Sequence, residues 1–196
     1  MIWTNSKYVE DGDVFLATNK NYKYIDLNLL KKVSEIVFVS DENKFIYDNY
    51  YDKIKDLKLI GITGTNGKTT TCYLIYQMLN LIGIKTAYIG TIGFYIDDMV
   101  FKLDNTTPEI SLLYNMIYYA KKRKCKVVVM EVSSHALKQD RIYGLLFDSV
   151  LVTNITRDHL DYHKTLKDYI KSKQKLIYQT RGKKICILNK KDKYYK

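Results

Sequence analysis

The chain is poor in residues that cross-link a fold, anchor it in a bilayer or grip nucleic acid. It holds only three cysteines in 196 residues, Cys72, Cys125 and Cys186. Their spacing suits neither a disulfide framework nor a metal site, and each lies in an apolar neighbourhood, so buried free thiols are expected. Such sparing use fits a reducing cytoplasm, the location expected for this protein. No apolar run approaches bilayer-spanning length, and the opening MIWTNSKYVEDGD has no apolar core of leader-peptide length. No membrane partner is expected. Arginine is scarce too: Arg123, Arg141, Arg157 and Arg181 are the four among 32 cationic residues, and the net charge of +11 comes from lysines spread along the chain. Without a basic stripe interleaved with aromatics, a solvated lysine surface is a better reading than a nucleic-acid interface, and no nucleic-acid partner is expected. An attraction for anionic nucleotides follows as a secondary effect.

What the chain does have is residues 57–71, LKLIGITGTNGKTTT. An apolar, strand-like run ends in a loop with Gly61, Gly64 and Gly67, and Lys68 and Thr69 follow where a helical pattern starts. Glycines let backbone N–H groups turn inward around phosphate oxygens, and the helix N-terminus adds its positive dipole end. The lysine adds a mobile cation and the threonine hydroxyl can ligate magnesium. Ile62 stands where the usual phosphate loop has its first glycine, so the spacing is a variant, GxxGxxGKT. Gly64, Thr65, Asn66, Gly67, Lys68, Thr69 and Thr70 are the expected ATP-binding residues.

From residue 57 onward, strand-like and helix-like segments alternate. A helix to about residue 82 stops at Gly83, and a strand covers 86–92. A second helix runs from Pro108, the only proline, to 122, followed by strands at 126–132 and 147–155. A helix over 165–178 and a strand over 184–188 complete the pattern. This predicts an α/β fold, a mainly parallel sheet with right-handed crossovers, in which ligands gather at the carboxyl ends of strands. Residues 1–48 read as a small separate α/β domain, with strands at 14–18 and 34–40 around a helical segment at 24–33. Residues 49–56 read as a linker with a short helix, and 57–196 as the nucleotide-binding domain.

Three further stretches fall where that rule puts ligands. Glu131 ends the KVVVMEV strand; it can complete a magnesium shell beside a phosphate loop or cap the next turn. Residues 154–163, NITRDHLDYH, crowd Asp158, His159, Asp161 and His163 into one loop, a combination that can bind metal, relay protons or cap a helix. Asn105, Thr106 and Thr107 precede Pro108, where hydroxyls and free N–H groups form either an anion site or an ordinary helix start.

Taken in order, GTNGKTT (64–70), NTTPE (105–109), EVSSHAL (131–137) and DHLDYH (158–163) resemble the Mur ligases over residues 57–189, most closely the branch that adds the third amino acid to UDP-N-acetylmuramoyl-L-alanyl-D-glutamate. The resemblance implies an ATP- and magnesium-dependent amide ligase of peptidoglycan synthesis. Its partners would be the UDP-N-acetylmuramoyl dipeptide and a free amino acid, and a monomer is expected. Lys68 and Thr69 would hold ATP phosphates and one magnesium, with Glu131 on that metal and His159 on a second. Lys173 falls at the family's carbamylated lysine and would join the metal set as an anion; locally, Lys171 and Lys175 look the same. Asn105, Thr106, Thr107, Ser133, Gln139 and Arg141 would contact the UDP-muramoyl substrate, together with Ser6 of NSKYVEDGDVFLA. Asn5 and Lys7 stand there in place of the family's aspartate and arginine.

By the same resemblance the D-glutamyl carboxylate would take the γ-phosphoryl group of ATP, and an amine would then displace phosphate from the acyl phosphate. Positioning and electrostatics carry most of such a transfer. Family members extend into a further domain that presents the amino acid, and the segments that choose lysine or diaminopimelate have no counterpart in these residues. The alternative expectation is a remnant that binds ATP and UDP-sugar without turning over.

Overall fold

Two sheets hold the strands of the chain, which a computed structural model describes over residues 1–194. The first is small and parallel, in the order β1-β2-β3, formed by β1 (Ile2–Trp3), β2 (Val14–Ala17) and β3 (Glu35–Phe38). Helix α1 (Leu27–Lys32) connects the last two, and Asp26 starts it by accepting from the Leu29 amide at 2.8 Å. The expected strands and helix of this unit are therefore present with trimmed ends.

The stretch after it differs from expectation. Residues 42–54 form one continuous helix, α2 (Glu42–Ile54), which takes in most of the stretch read as a linker. Asp41 caps it by accepting from the Lys44 amide at 2.9 Å. Ile46, Tyr50 and Ile54 recur at four-residue intervals and are buried. That narrow stripe is diluted by Asn, Asp, Lys and tyrosine, which is why the sequence reads as polar linker. The Tyr50 hydroxyl donates to Asn115 Oδ1, and Asn115 Nδ2 donates to the Ile2 carbonyl at 2.8 Å. One buried polar pair thus ties α2, β1 and the central unit together, with each partner satisfied.

The central sheet is built from β4 (Lys58–Thr63), β5 (Thr86–Gly90), β6 (Gly93–Ile96), β7 (Met99–Phe101), β8 (Val127–Glu131), β9 (Phe147–Val152) and β10 (Thr180–Leu188). Their order is β10-β9-β4-β8-β5-β6-β7. The first five are parallel, as expected; β6 and β7 add an antiparallel edge that was not. The connection from β6 to β7 is the two residues Asp97 and Asp98, with Asp97 at φ 50°, and so short a link allows only a hairpin.

Helices cover both faces. On one, α3 (Lys68–Leu81) packs through Cys72, Tyr73 and Tyr76 on Ile62, Tyr88, Val127 and Val129. On the other, α4 (Ile110–Lys122) and α7 (Leu166–Tyr178) meet Leu59, Ala87, Ile89, Val128, Met130 and Val150. Side chains alternate along a strand, so Val127, Val129 and Glu131 of β8 all point to the α3 side. Helix α4 begins at Ile110 rather than Pro108, because Glu109 is still extended (φ −61°, ψ 156°). Strand β10 starts earlier than residue 184, with a register shift between Thr180 and Ile185. Two short helices, α5 (Ser134–Lys138) and α6 (Leu160–His163), are too brief to leave a period in the sequence. Cys72 and Cys125 are buried, Cys186 is half-buried, and all three are free. Among the described residues no helix is long and apolar enough to cross a membrane.

Candidate nucleotide and metal site

Four strand ends meet at one rim of the central sheet, and the glycine loop between β4 and α3 lies on it. Gly64 is at φ 144°, and a Cβ there would sit 1.9 Å from Thr153 Oγ1. Only glycine lets the loop press this closely on the end of β9. The loop is laced to that strand end: the Thr65 amide donates to Asn154 O at 2.8 Å and the Asn66 amide to Asn154 Oδ1 at 3.0 Å. Thr153 Oγ1 and Asn154 Nδ2 donate to Asn66 O at 2.7 and 2.9 Å. Thr65 is buried, its hydroxyl 2.9 Å from the Tyr169 hydroxyl and accepting from the Thr156 amide. Its side chain therefore shapes the loop. Gly67 opens α3 without a side-chain cap, which leaves the first-turn amides of the helix available to an anion. Lys68 Nζ folds over the loop and donates to the carbonyls of Gly64 and Thr65, both at 2.9 Å. Burial holds its ammonium below the usual lysine range. Asn66 is exposed in the loop and Thr70 in the first turn of α3.

Glu131 is fully buried at the end of β8, and every oxygen is used. Oε2 accepts from Thr69 Oγ1 at 2.9 Å and from Thr91 Oγ1 at 3.2 Å; Oε1 accepts from Tyr88 OH at 2.5 Å and from the Thr91 amide at 2.9 Å. A carboxylate and a hydroxyl 2.9 Å apart are hard oxygen donors, and that separation is about the edge of a magnesium octahedron. A magnesium ion could thus replace the shared hydrogen bond without moving either oxygen, so the donor set fits the metal.

Lys173 comes from α7 on the other side of the loop and is 2% exposed, whereas Lys171 and Lys175 are exposed. Its Nζ donates to Gly64 O at 2.8 Å and lies 3.4 Å from Thr63 Oγ1. Burial first, and the Lys68 ammonium second, bring it down to about 7. The structure therefore separates three lysines that look alike in sequence. His159 is half-exposed at φ 51°, with Nε2 3.5 Å from Asp158. Its ring stands 4.8 Å from that of His135, which also stacks on Tyr162 at 4.2 Å. His163 is buried against Ser172 and Asp168, and burial lowers its pKa, as expected of a structural histidine. Among the described residues no three His, Cys, Asp or Glu side chains gather as a metal cage. Any metal here relies on mixed donors such as Thr69 with Glu131.

The expected substrate residues divide into two groups. Ser6, Gln139 and Arg141 line one cleft of about 620 Å³ between the small sheet and the central unit, with Asn5, Lys20, Tyr24 and Glu42 also on its wall. Arg141 bridges to the loop region, donating from Nη1 to Thr107 O at 2.7 Å and from Nε to Gln139 Oε1 at 2.8 Å. Asn5 spends its side chain on the Lys7 amide at 3.0 Å. The other group lies nearer Glu131. Thr106 Oγ1 is 3.0 Å from Thr91 Oγ1, and Asn105 is exposed. Thr107 is fully buried, its hydroxyl donating to Glu131 O at 2.9 Å and accepting from the Ser133 amide at 3.0 Å. With both roles taken it holds the strand end in place. Ser133 caps α5 by accepting from the Ala136 amide at 3.1 Å. Sequence reasoning missed Tyr88, Thr91 and Asn154. The glycine-flanked Gly90-Thr91 after a strand was the available signal for Thr91; Tyr88 and Asn154 gave none.

Comparison with known proteins bears on this geometry. The family model for the Mur ligase middle domain matches residues 62–196. The chain is 41% identical over 189 residues to UDP-N-acetylmuramoyl-L-alanyl-D-glutamate 2,6-diaminopimelate ligase 1 of Clostridium acetobutylicum, covering 96% of this chain and 38% of that protein. It is 52% identical over 119 residues to the like-named ligase of Wolinella succinogenes, covering 60% of this chain and 27% of that one. A solved structure of a UDP-N-acetylmuramoyl-L-alanyl-D-glutamate 2,6-diaminopimelate ligase superposes with a TM-score of 0.75 at 25% identity, over 98% of this chain and 43% of the other. MurF ligase from Thermotoga maritima in complex with ADP shares the fold, with a TM-score of 0.67 at 18% identity over 97% of this chain and 46% of that one. The chain thus spans less than half the length of each of these relatives.

Proposed function

The chain belongs to the Mur ligase family, and on that premise we propose that it is the nucleotide- and UDP-sugar-binding part of an ATP-dependent ligase adding diaminopimelate to UDP-N-acetylmuramoyl-L-alanyl-D-glutamate. The observation that carries the reading is the Thr69–Glu131 pair at 2.9 Å beneath the glycine loop. The names of the relatives support diaminopimelate over lysine.

In this reading the first-turn amides of α3 and the Lys68 ammonium hold the ATP phosphates. Lys68 leaves the carbonyls of Gly64 and Thr65 to neutralise charge on the transferring group. Bound magnesium would withdraw electron density from those phosphates; Thr69 and Glu131 are the residues that would hold it, and His159 lies beside the same rim for a second ion. The cleft with Ser6, Gln139 and Arg141 takes the UDP-muramoyl peptide and brings its carboxylate towards the loop. Asn105 and Thr106 border the path between the two. Thr107 and Ser133 act through the backbone they fix. Lys173 is the carbamylation candidate: only a neutral amine attacks carbon dioxide, and at about 7 half of this buried lysine is neutral. The carbamate, formed with release of one proton, would exchange a buried cation for an anion against the glycine loop. In this scheme residues 1–48 serve the UDP end together with Gln139 and Arg141 across the cleft, and the rest of 57–196 serves the ATP end.

Calorimetry with the 196-residue chain tests it. ATP with magnesium should bind, Lys68→Met should weaken it about 100-fold or more, and the UDP-muramoyl dipeptide should bind independently of Lys68. Absence of ATP binding by the unaltered chain refutes the reading. ADP release that requires both the dipeptide and diaminopimelate would extend it from binding to ligation, and binding without release would favour the non-catalytic alternative.

A further inference from the structure

Glu131 is gripped in an asymmetric way. Its Oε1 accepts from Tyr88 OH at 2.5 Å and from the Thr91 amide at 2.9 Å, so both lone pairs of that oxygen are spoken for. Its Oε2 faces only hydroxyls, those of Thr69 and Thr91, which can rotate their protons away. The Tyr88 phenol is held against Oε1 by a ring that cannot move away. Tyr88 is fully buried on the α3 side of β5. Its ring is boxed by Tyr73 at 5.8 Å and 90°, Tyr95 at 5.6 Å and 80°, and Tyr76 at 6.1 Å. Gly90 leaves the space in which phenol and carboxylate meet: a Cβ there would lie 2.3 Å from the Tyr88 hydroxyl and 2.2 Å from Glu131 Oε1.

We propose that Tyr88 is a positioning residue that confines Glu131 to one-oxygen metal coordination through Oε2, and so makes the site prefer magnesium over calcium. Magnesium takes six oxygens in a tight octahedron and is content with one carboxylate oxygen. Calcium takes six to eight and gains from carboxylates that bind through both. Blocking Oε1 therefore costs magnesium little and calcium a ligand. The inference rests on the reading of Thr69 and Glu131 as metal donors.

The test is calorimetric ATP binding to the full chain with magnesium or calcium present, for the unaltered protein, Tyr88→Phe, Tyr73→Phe and Glu131→Gln. Tyr88→Phe removes one oxygen and keeps the ring in its aromatic box. The expected result is a magnesium-to-calcium affinity ratio that falls about tenfold or more in Tyr88→Phe while metal-free ATP binding is unchanged. Tyr73→Phe, in the same box but off the carboxylate, should keep the ratio. A ratio in Tyr88→Phe within about twofold of the unaltered chain overturns the inference. If Glu131→Gln then loses the magnesium dependence, only the role of Tyr88 has failed; if Glu131→Gln keeps it, the metal reading has failed as well. Should Tyr88→Phe lack a cooperative melt, the unaltered chain decides, since equal ATP affinity with the two metals overturns the inference and a preference of about tenfold for magnesium supports it.

Discussion

Lys173→Met in carbonate-free buffer isolates the cost of burying an amine under the glycine loop. Methionine keeps the apolar stem and fills the same space, but removes the charge and the bond to Gly64 O at 2.8 Å. The lost bond takes one of two donors from the Gly64 carbonyl, which keeps Lys68 Nζ at 2.9 Å, a pH-independent penalty of about 0.5–1.5 kcal/mol. The lost charge acts in the opposite direction and depends on pH. In the unfolded chain the amine titrates near the ordinary 10.5, and in the folded chain near about 7. Below about 7 both states carry the proton and the folded state bears the full burial penalty; above about 10.5 neither does, and the penalty is gone. The gap corresponds to roughly 5 kcal/mol. Between those limits the unfolded state binds more protons, so this group makes stability rise with pH, by up to about 1.4 kcal/mol per pH unit. Urea unfolding of both proteins across this window reads the effect directly. The stability of the unaltered chain relative to Lys173→Met should increase by more than about 2 kcal/mol from pH ~7 to pH ~9. Parallel pH–stability curves for the two proteins would refute the argument. Adding carbon-13 bicarbonate to the unaltered chain near pH ~8 should then produce a carbamate resonance that Lys173→Met lacks, because the neutral amine is the reactive form.

The remaining predictions concern the rim around that lysine. Gly64→Ala places a methyl 1.9 Å from Thr153 Oγ1 at a backbone angle that L-residues avoid. A loss of about 1–3 kcal/mol in thermal or urea stability is expected, together with loss of ATP binding; an unperturbed variant would mean the loop is not pressed on β9. Thr107→Val removes the hydroxyl that joins Glu131 O to the Ser133 amide and should cost about 1–3 kcal/mol in unfolding experiments. Thr107→Ser should restore most of it, and equal losses in both would assign the effect to packing. Arg141→Lys loses the planar fork whose Nε and Nη1 reach Gln139 Oε1 and Thr107 O from two separate nitrogens. It should weaken calorimetric binding of the UDP-muramoyl dipeptide about tenfold while ATP binding holds; weakening of both ligands alike would place Arg141 in the shared scaffold instead.

The sequence by itself determined the central order of strand, phosphate loop and helix, because buried parallel strands need continuous apolar runs such as VVVM and a phosphate loop needs glycine, lysine and threonine in fixed succession. It also determined which stretches gather at the rim, since strand ends in such a sheet lie on one side. Tertiary structure alone decided what each rim residue does there. Lys171, Lys173 and Lys175 are equivalent in the linear pattern, and only the turn of α7 under the loop buries the middle one. Thr106 and Thr107 are neighbours of one type, yet the first hydroxyl reaches Thr91 and the second is consumed by backbone. Helix α2 was hidden because its buried stripe is only three residues wide and partly tyrosine. Tyr88 was hidden because a tyrosine inside a strand looks like core until Glu131 is brought beside it from the neighbouring strand, in the space that Gly90 leaves two residues on in β5. Spacing along a chain reports period and punctuation; whether a hydroxyl or amine is free depends on partners that are distant in sequence, and folding chooses those partners.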